Sequence, residues 1–180
     1  MAQYRAFSST AEVLGQSVLA IVGGMENNRV RALELLAEQG LTPMEPHRWY
    51  AQQPVLDVFR NIFERIGPST VRAIGRKVPE WAVFPRTAPG AIEEALQALQ
   101  VAYETNHRNG DIGHYRFERT GPRSGRMVCV NPYPCDFDLG LVEAVAEKSR
   151  PLHSLRVRVE HAPGDCRKRG DEACAYAVSW

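Results

Sequence analysis

No apolar stretch in this chain approaches the ~20 residues that a membrane-spanning helix needs. The longest candidate, Val18 to Val22, stops at Gly23-Gly24. The opening residues Met1-Ala2-Gln3-Tyr4-Arg5 lack a charged segment followed by an apolar one, so no secretory signal is read there. A block of one charge sign is also missing: 22 Lys and Arg nearly cancel 21 Asp and Glu, leaving a formal net charge of +1. The densest basic run, Arg167-Lys168-Arg169, is answered at once by Asp171 and Glu172. A nucleic-acid footprint requires a broader basic stripe, so nucleic acid is not an expected partner, and without a spanning segment a membrane is not expected either. There is no glycine-rich phosphate loop, Gly-x-Ser-x-Gly elbow, His-Glu-x-x-His, Cys-x-x-Cys or internal repeat. These absences remove common signatures of catalysis and favour a protein that senses a ligand over one that turns it over.

What is present reads as an ordinary globular composition, 44% hydrophobic and 24% charged over 180 residues. That length fits one domain, 1–180, with a helical part over 1–110 and a mixed part over 111–180. A cytoplasmic location is expected, and there four cysteines read as thiols or metal ligands rather than structural disulfides.

Apolar spacing predicts a helix capped by Ser9 or Thr10, burying Leu14, Val18, Ile21 and Val22, and a second from about Asn28 to Gln39 burying Val30, Leu33, Leu36 and Ala37. The third shows the broadest stripe, Val55, Leu56, Phe59, Ile62, Phe63 and Ile66, closed by Gly67-Pro68. A shorter helix follows through Arg76. The Pro-rich, apolar stretch Val78 to Pro85 is expected to pack on the bundle as a lid or wall. Ile92, Leu96, Leu99, Ala102, Tyr103 and His107 define another long helix closed by Asn109-Gly110.

After Gly113 the period changes from 3.6 to 2. Tyr115 and Phe117, then a turn over Gly121 to Gly125, then Met127 and Cys129 predict a hairpin. A helix starting near Asp136, a strand through Leu155, Val157 and Val159, and a final strand from Cys174 to Trp180 complete a hairpin-helix-hairpin order. The expected fold is α+β, an N-terminal helical bundle packed on a small antiparallel sheet.

Cys166 and Cys174 flank a turn signal, Gly170-Asp171, that brings the two sulfurs back together, and Cys135 heads the crossing helix. Zinc would take these three thiolates with a fourth ligand from Glu160, His161 or Asp165. Thiols buried as small hydrophobes, or a Cys166–Cys174 disulfide, are the competing readings. Trp49, Tyr50, Trp81, Phe84, Tyr103, Tyr115 and Phe117 come from segments that meet between bundle and sheet. They either line a ligand cavity or simply fill the core. His107, one turn after Tyr103, is the candidate axial ligand if haem is bound, and a polar helix end otherwise.

The closing stretch Cys166-Arg-Lys-Arg-Gly-Asp-Glu-Ala-Cys174-Ala-Tyr-Ala-Val-Ser-Trp180 resembles the last motif of the small-molecule-binding domain named after the four-vinyl reductases. That group shares its fold with TRAPP subunits, haem-NO-binding domains and the sensor domains of aromatic-responsive activators. The resemblance implies an interior ligand pocket and, as in the aromatic-sensing members, zinc held by three Cys and an acidic residue. Here those would be Cys135, Cys166 and Cys174 with Glu160 or Asp165, since Pro163 stands at the family's acidic position. A Tyr-x-Ser-x-Arg propionate motif of the haem-NO-binding relatives is absent. The resemblance further implies a homodimer built on the N-terminal helices. The expected function is therefore a regulatory domain that binds a hydrophobic aromatic or tetrapyrrole-like ligand and signals to a separate partner protein. A haem-based gas or redox sensor is one alternative, and an accessory protein or enzyme of tetrapyrrole metabolism another.

Overall fold

The computed structural model describes residues 3–180. Its first element is a strand where the spacing predicts a helix. Glu12–Leu14 (β1) pairs antiparallel with Trp49–Ala51 (β2) on one side and His107–Arg108 (β3) on the other, in the order β2-β1-β3. Neither Ser9 nor Thr10 caps a helix, since a strand follows them, and the Thr10 hydroxyl instead bonds that of Ser8 and donates to the Asn109 carbonyl. Helix begins only after β1, as Gly15–Val18 (α1) and Ala20–Gly24 (α2), and there Val18, Ile21 and Val22 are buried as expected.

Arg29–Glu38 (α3) matches the second helix in extent but presents a different face. Ala32, Leu35 and Leu36 point inward, while Val30 and Leu33 are 72% and 42% exposed. Gln52–Arg65 (α4) buries Val55, Leu56, Val58, Phe59 and Ile62. Pro68–Trp81 (α5) runs on past Arg76, where the sequence suggested an end. Pro79 is tolerated because it falls in the last turn, and the Ala82 amide still closes on the Val78 carbonyl at 2.8 Å. Ile92–Asn106 (α6) stops one residue before His107, which becomes extended and pairs with Val13.

The second sheet is built from His114–Gly121 (β4), Ser124–Val130 (β5), Arg158–His161 (β6) and Cys174–Ser179 (β7), ordered β4-β5-β7-β6 and antiparallel throughout. Cys135–Lys148 (α7) packs on this sheet and crosses α5. The hairpin-helix-hairpin order holds, with one shift. The strand expected from Leu155 starts at Arg158, and Leu155 itself is 98% exposed.

The α5–α7 crossing brings backbone against backbone. A Cβ on Gly75 would stand 2.1 Å from the Phe137 carbonyl oxygen, and one on Gly140 would stand 2.0 Å from that of Arg72. Glu143 of α7, almost buried, accepts from both Arg72 and Arg76 of α5 and fixes the rotation of the pair. This contact sets the depth of α7, and with it the position of Cys135 at its first turn.

Candidate metal centre and interior cavity

Four ligand-type side chains converge where α7 starts and the last hairpin folds back. Cys135 is the first residue of α7, His161 ends β6, Cys174 begins β7, and Cys166 precedes a single turn of 3-10 helix over Arg167–Arg169. Gly170 reverses the chain with φ of 91°, a conformation glycine adopts without a Cβ penalty, and so returns Cys174 beside Cys166. The Cys166 amide donates to Asp171 at 2.8 Å, which pins the same turn.

The four ligand atoms lie within 4.8 Å of one another. Sulfur separations are 2.9 Å for Cys135–Cys174, 3.7 Å for Cys135–Cys166 and 4.0 Å for Cys166–Cys174. All exceed an S–S bond, and the cysteines are free. Zinc–thiolate bonds of ~2.3 Å in a tetrahedron put sulfurs about 3.8 Å apart, so two of the three edges already have the size of a zinc site. His161 completes the donor set. Its Nδ1–H donates to the Ala162 carbonyl at 2.8 Å, which leaves a bare Nε2 lone pair, buried and with no hydrogen-bond partner. An orphaned imidazole nitrogen facing three thiols fits a metal better than it fits a core.

The electrostatics agree. Cys174 is pulled down, first by the thiol proton that Cys135 donates to it and then by Arg167, whose backbone amide also donates to this sulfur, against the opposing effect of burial. Its partner Cys135 is pushed up correspondingly, because its proton is held between the two sulfurs and it is partly desolvated. Glu160 and Asp165 stand elsewhere. Strand alternation turns Glu160 to the solvent side, where it pairs with Arg158 at 2.7 Å, and Asp165 is exposed on the loop. The histidine one step along β6 occupies the position assigned to an acid, a placement that the sequence offered among three candidates.

Inside the protein lies an apolar cavity of about 50 Å³. Val55 and Phe59 of α4, Leu99 and Tyr103 of α6, and Phe137 and Leu141 of α7 form most of its wall. Phe84, Tyr103, His107 and Tyr115 border it as the sequence proposed. Trp49, Tyr50, Trp81 and Phe117 do not. Trp49 stacks under Arg108, Tyr50 bonds the backbone of the loop before it, Trp81 covers Gly23, and Phe117 lies over Gly125. Tyr133, missed from the sequence because it sits in a Pro-flanked loop, stacks on Phe137 and meets Phe59 edge-on.

Among the polar side chains on the cavity wall, Ser17 donates its hydroxyl to Asn106 Oδ1 at 2.7 Å, and His107 pairs with Tyr133. His107 Nδ1–H donates to the Tyr103 carbonyl at 2.9 Å, so Nε2 accepts from the Tyr133 hydroxyl at 2.7 Å. Burial pulls His107 down to about 4, with the Tyr103 carbonyl acting in the opposite sense, and the ring is neutral at physiological pH. Because the folded value lies below the unfolded 6.5, the stability tied to this histidine is intact above about pH 6.5. It drains as the pH falls toward 4, by on the order of 3 kcal/mol in total. His107→Gln should flatten the acid limb of the melting-temperature profile between those values; superimposable slopes for the two proteins would contradict the assignment.

The segment after α5 forms one cavity wall. Asn106 clamps it, its amide nitrogen donating to the Val83 carbonyl at 2.8 Å and its amide oxygen accepting from the Val83 amide at 3.1 Å. A chain of buried polar groups joins this cavity to the cysteine cluster. The Arg167 guanidinium binds Asp138 and Asn131, and Asp138 accepts at 2.6 Å from the hydroxyl of Tyr115.

No family model and no curated protein matches this chain. Solved structures do. An H-NOX protein from S. oneidensis in the Fe(II)NO ligation state superposes with a TM-score of 0.63 at 12% identity, covering 92% of this chain and 98% of its own. A T. Tengcongensis H-NOX mutant gives 0.59 at 15% identity over 91% and 94%. A structure from work on haem distortion in the H-NOX family gives 0.65 at 17% identity over 92% and 94%. The chain therefore has the haem-NO-binding fold.

Haem does not fit the residues as arranged. Both nitrogens of His107 are engaged, no Lys or Arg among the described residues borders the cavity to meet a propionate, and 50 Å³ is far below the several hundred Å³ of a pocket for a large ligand.

Proposed function

We propose that this chain is a sensor domain that admits a small, uncharged, largely apolar molecule into the cavity between α4, α6, α7 and β4, and that the Cys135, His161, Cys166 and Cys174 cluster holds a structural zinc. The carrying observation is the mostly apolar interior space that a neutral histidine–tyrosine pair borders, one wall of it a segment that two hydrogen bonds from Asn106 hold in place. Apolar walls supply affinity, and a neutral donor–acceptor pair orients a ligand without demanding charge. Even benzene fills an engineered cavity of roughly 150 Å³. Binding therefore requires the Phe84 segment to give way, and that displacement is the signal a separate partner would read. Zinc, when bound, would tie α7 to the last hairpin and so hold the opposite wall still.

Melting curves of the zinc-loaded protein with toluene, naphthalene and indole test this reading. At a hundredfold excess over Kd a ligand adds about 2.7 kcal/mol, which for a chain of this size is a rise of roughly 5–10 °C. No rise with any of the three, confirmed by calorimetry, would remove its basis.

A second reading, haem-based sensing, is favoured by His107 at the cavity wall and by the likeness to H-NOX structures studied for haem distortion. It requires Tyr133 to release Nε2 and the walls to part. A hemin titration decides it: a Soret band that His107→Ala abolishes supports haem, and a flat titration rejects it.

A further inference from the structure

The loop after α7 carries a surface that neither the cavity nor the cysteine cluster uses. Between Glu147 and Glu160 the sequence has Lys148, Arg150, Arg156 and Arg158 and no acidic residue. All four cations are exposed. Arg158 is taken up by Glu160, and Arg150 donates to the Ser154 carbonyl, whereas Lys148 and Arg156 make no ion pair among the described residues. In their midst Leu152 and Leu155 are 102% and 98% exposed, more than any other large apolar side chain described.

This exposure is built. The Ser154 amide closes a turn on the Pro151 carbonyl at 2.9 Å, and its hydroxyl donates to the Arg156 carbonyl at 3.2 Å. Pro151 and Ser154 are buried, with the Pro151 Cα 3.6 Å from where a Gly90 Cβ would stand. The residues that anchor the turn alternate with the leucines, which are held outward without a partner. Arg86 borders the same shallow groove as Lys148 and widens the basic margin.

Two leucines at a turn tip offer little of the ~800 Å² per partner that a stable protein interface buries. A bilayer needs no matching groove. Protruding apolar side chains enter the headgroup–acyl boundary while flanking cations meet anionic headgroups. We propose that this loop docks the protein peripherally on anionic lipid surfaces. The expectation of no membrane partner rested on the lack of a spanning segment, which does not bear on a surface contact.

Co-sedimentation with phosphatidylcholine vesicles, with and without phosphatidylserine, tests it. Wild-type protein should pellet with the phosphatidylserine vesicles at low salt and be released at high salt. Leu152→Ser with Leu155→Ser, and separately Lys148→Glu with Arg156→Glu, should each lower the partition coefficient at least about tenfold with unchanged far-UV circular dichroism. Absence of wild-type binding at low salt, or full binding by the double-leucine variant, overturns the proposal. So does a leucine variant that loses self-association in sedimentation velocity while vesicles stay unbound, because a second copy would then be what covers the loop.

Discussion

Replacing Cys174 by Ser should release zinc from the purified protein and cost several kcal/mol of stability. Metal binding to three thiolates and an imidazole is linked to folding, and in zinc-finger peptides the linkage reaches ~10–16 kcal/mol. A domain with its own core forfeits only part of that. A buried thiol without metal would lose about 1–2 kcal/mol on the same change. The separation between these outcomes is wide, and a chelator sharpens it. Wild-type protein should melt lower in EDTA, and Cys174→Ser should melt at one temperature with or without it. His161→Ala should behave like the cysteine variant, because Nε2 has no other partner to lose. Zinc retained at full occupancy in either variant would exclude this donor set.

Gly140→Ala should be among the most damaging small substitutions outside that cluster. A methyl group there would stand 2.0 Å from the Arg72 carbonyl oxygen and 3.1 Å from the Arg76 amide nitrogen, both backbone atoms that cannot swing aside. Relief requires α5 and α7 to separate, which breaks the Glu143 bridge to Arg72 and Arg76. Overpacking of a core costs about 1–3 kcal/mol, and an unyielding neighbour puts this case at the upper end or beyond. The denaturation midpoint of Gly140→Ala, set against that of the wild-type protein, provides the comparison. Equal midpoints would mean that the helices do not cross this closely.

The C-terminal half was readable because its signals are local. Alternation through Tyr115, Phe117, Met127 and Cys129 marks a hairpin, and a turn between Cys166 and Cys174 returns the chain. The fourth ligand was less legible. The resemblance implies an acid near the cysteines, but the pleat of β6 decides between Glu160 and His161, and the strand's register is set by Tyr176 across the sheet. The N-terminal sheet was hidden for a different reason. Strands β1, β2 and β3 are two or three residues long and pair across 35 to 96 positions, from Leu14 to Trp49 and from Glu12 to Arg108. No window of periodicity reaches that far. The inward face of α3 was misread except at Leu36, because Val30, Leu33 and Ala37 form as regular a stripe with it as Ala32 and Leu35 do, and only the surrounding helices choose between them.

Arg167 belongs to two structures at once. Its backbone lies inside the loop bounded by Cys166 and Cys174, while its side chain reaches the carboxylate that anchors a tyrosine of the cavity wall. Under the proposed function, a metal that tightens the knuckle would bias the chamber, and a ligand that fills the chamber would bias the knuckle by the same factor, as thermodynamic reciprocity demands. Metal affinity would in that case be a remote gauge of occupancy.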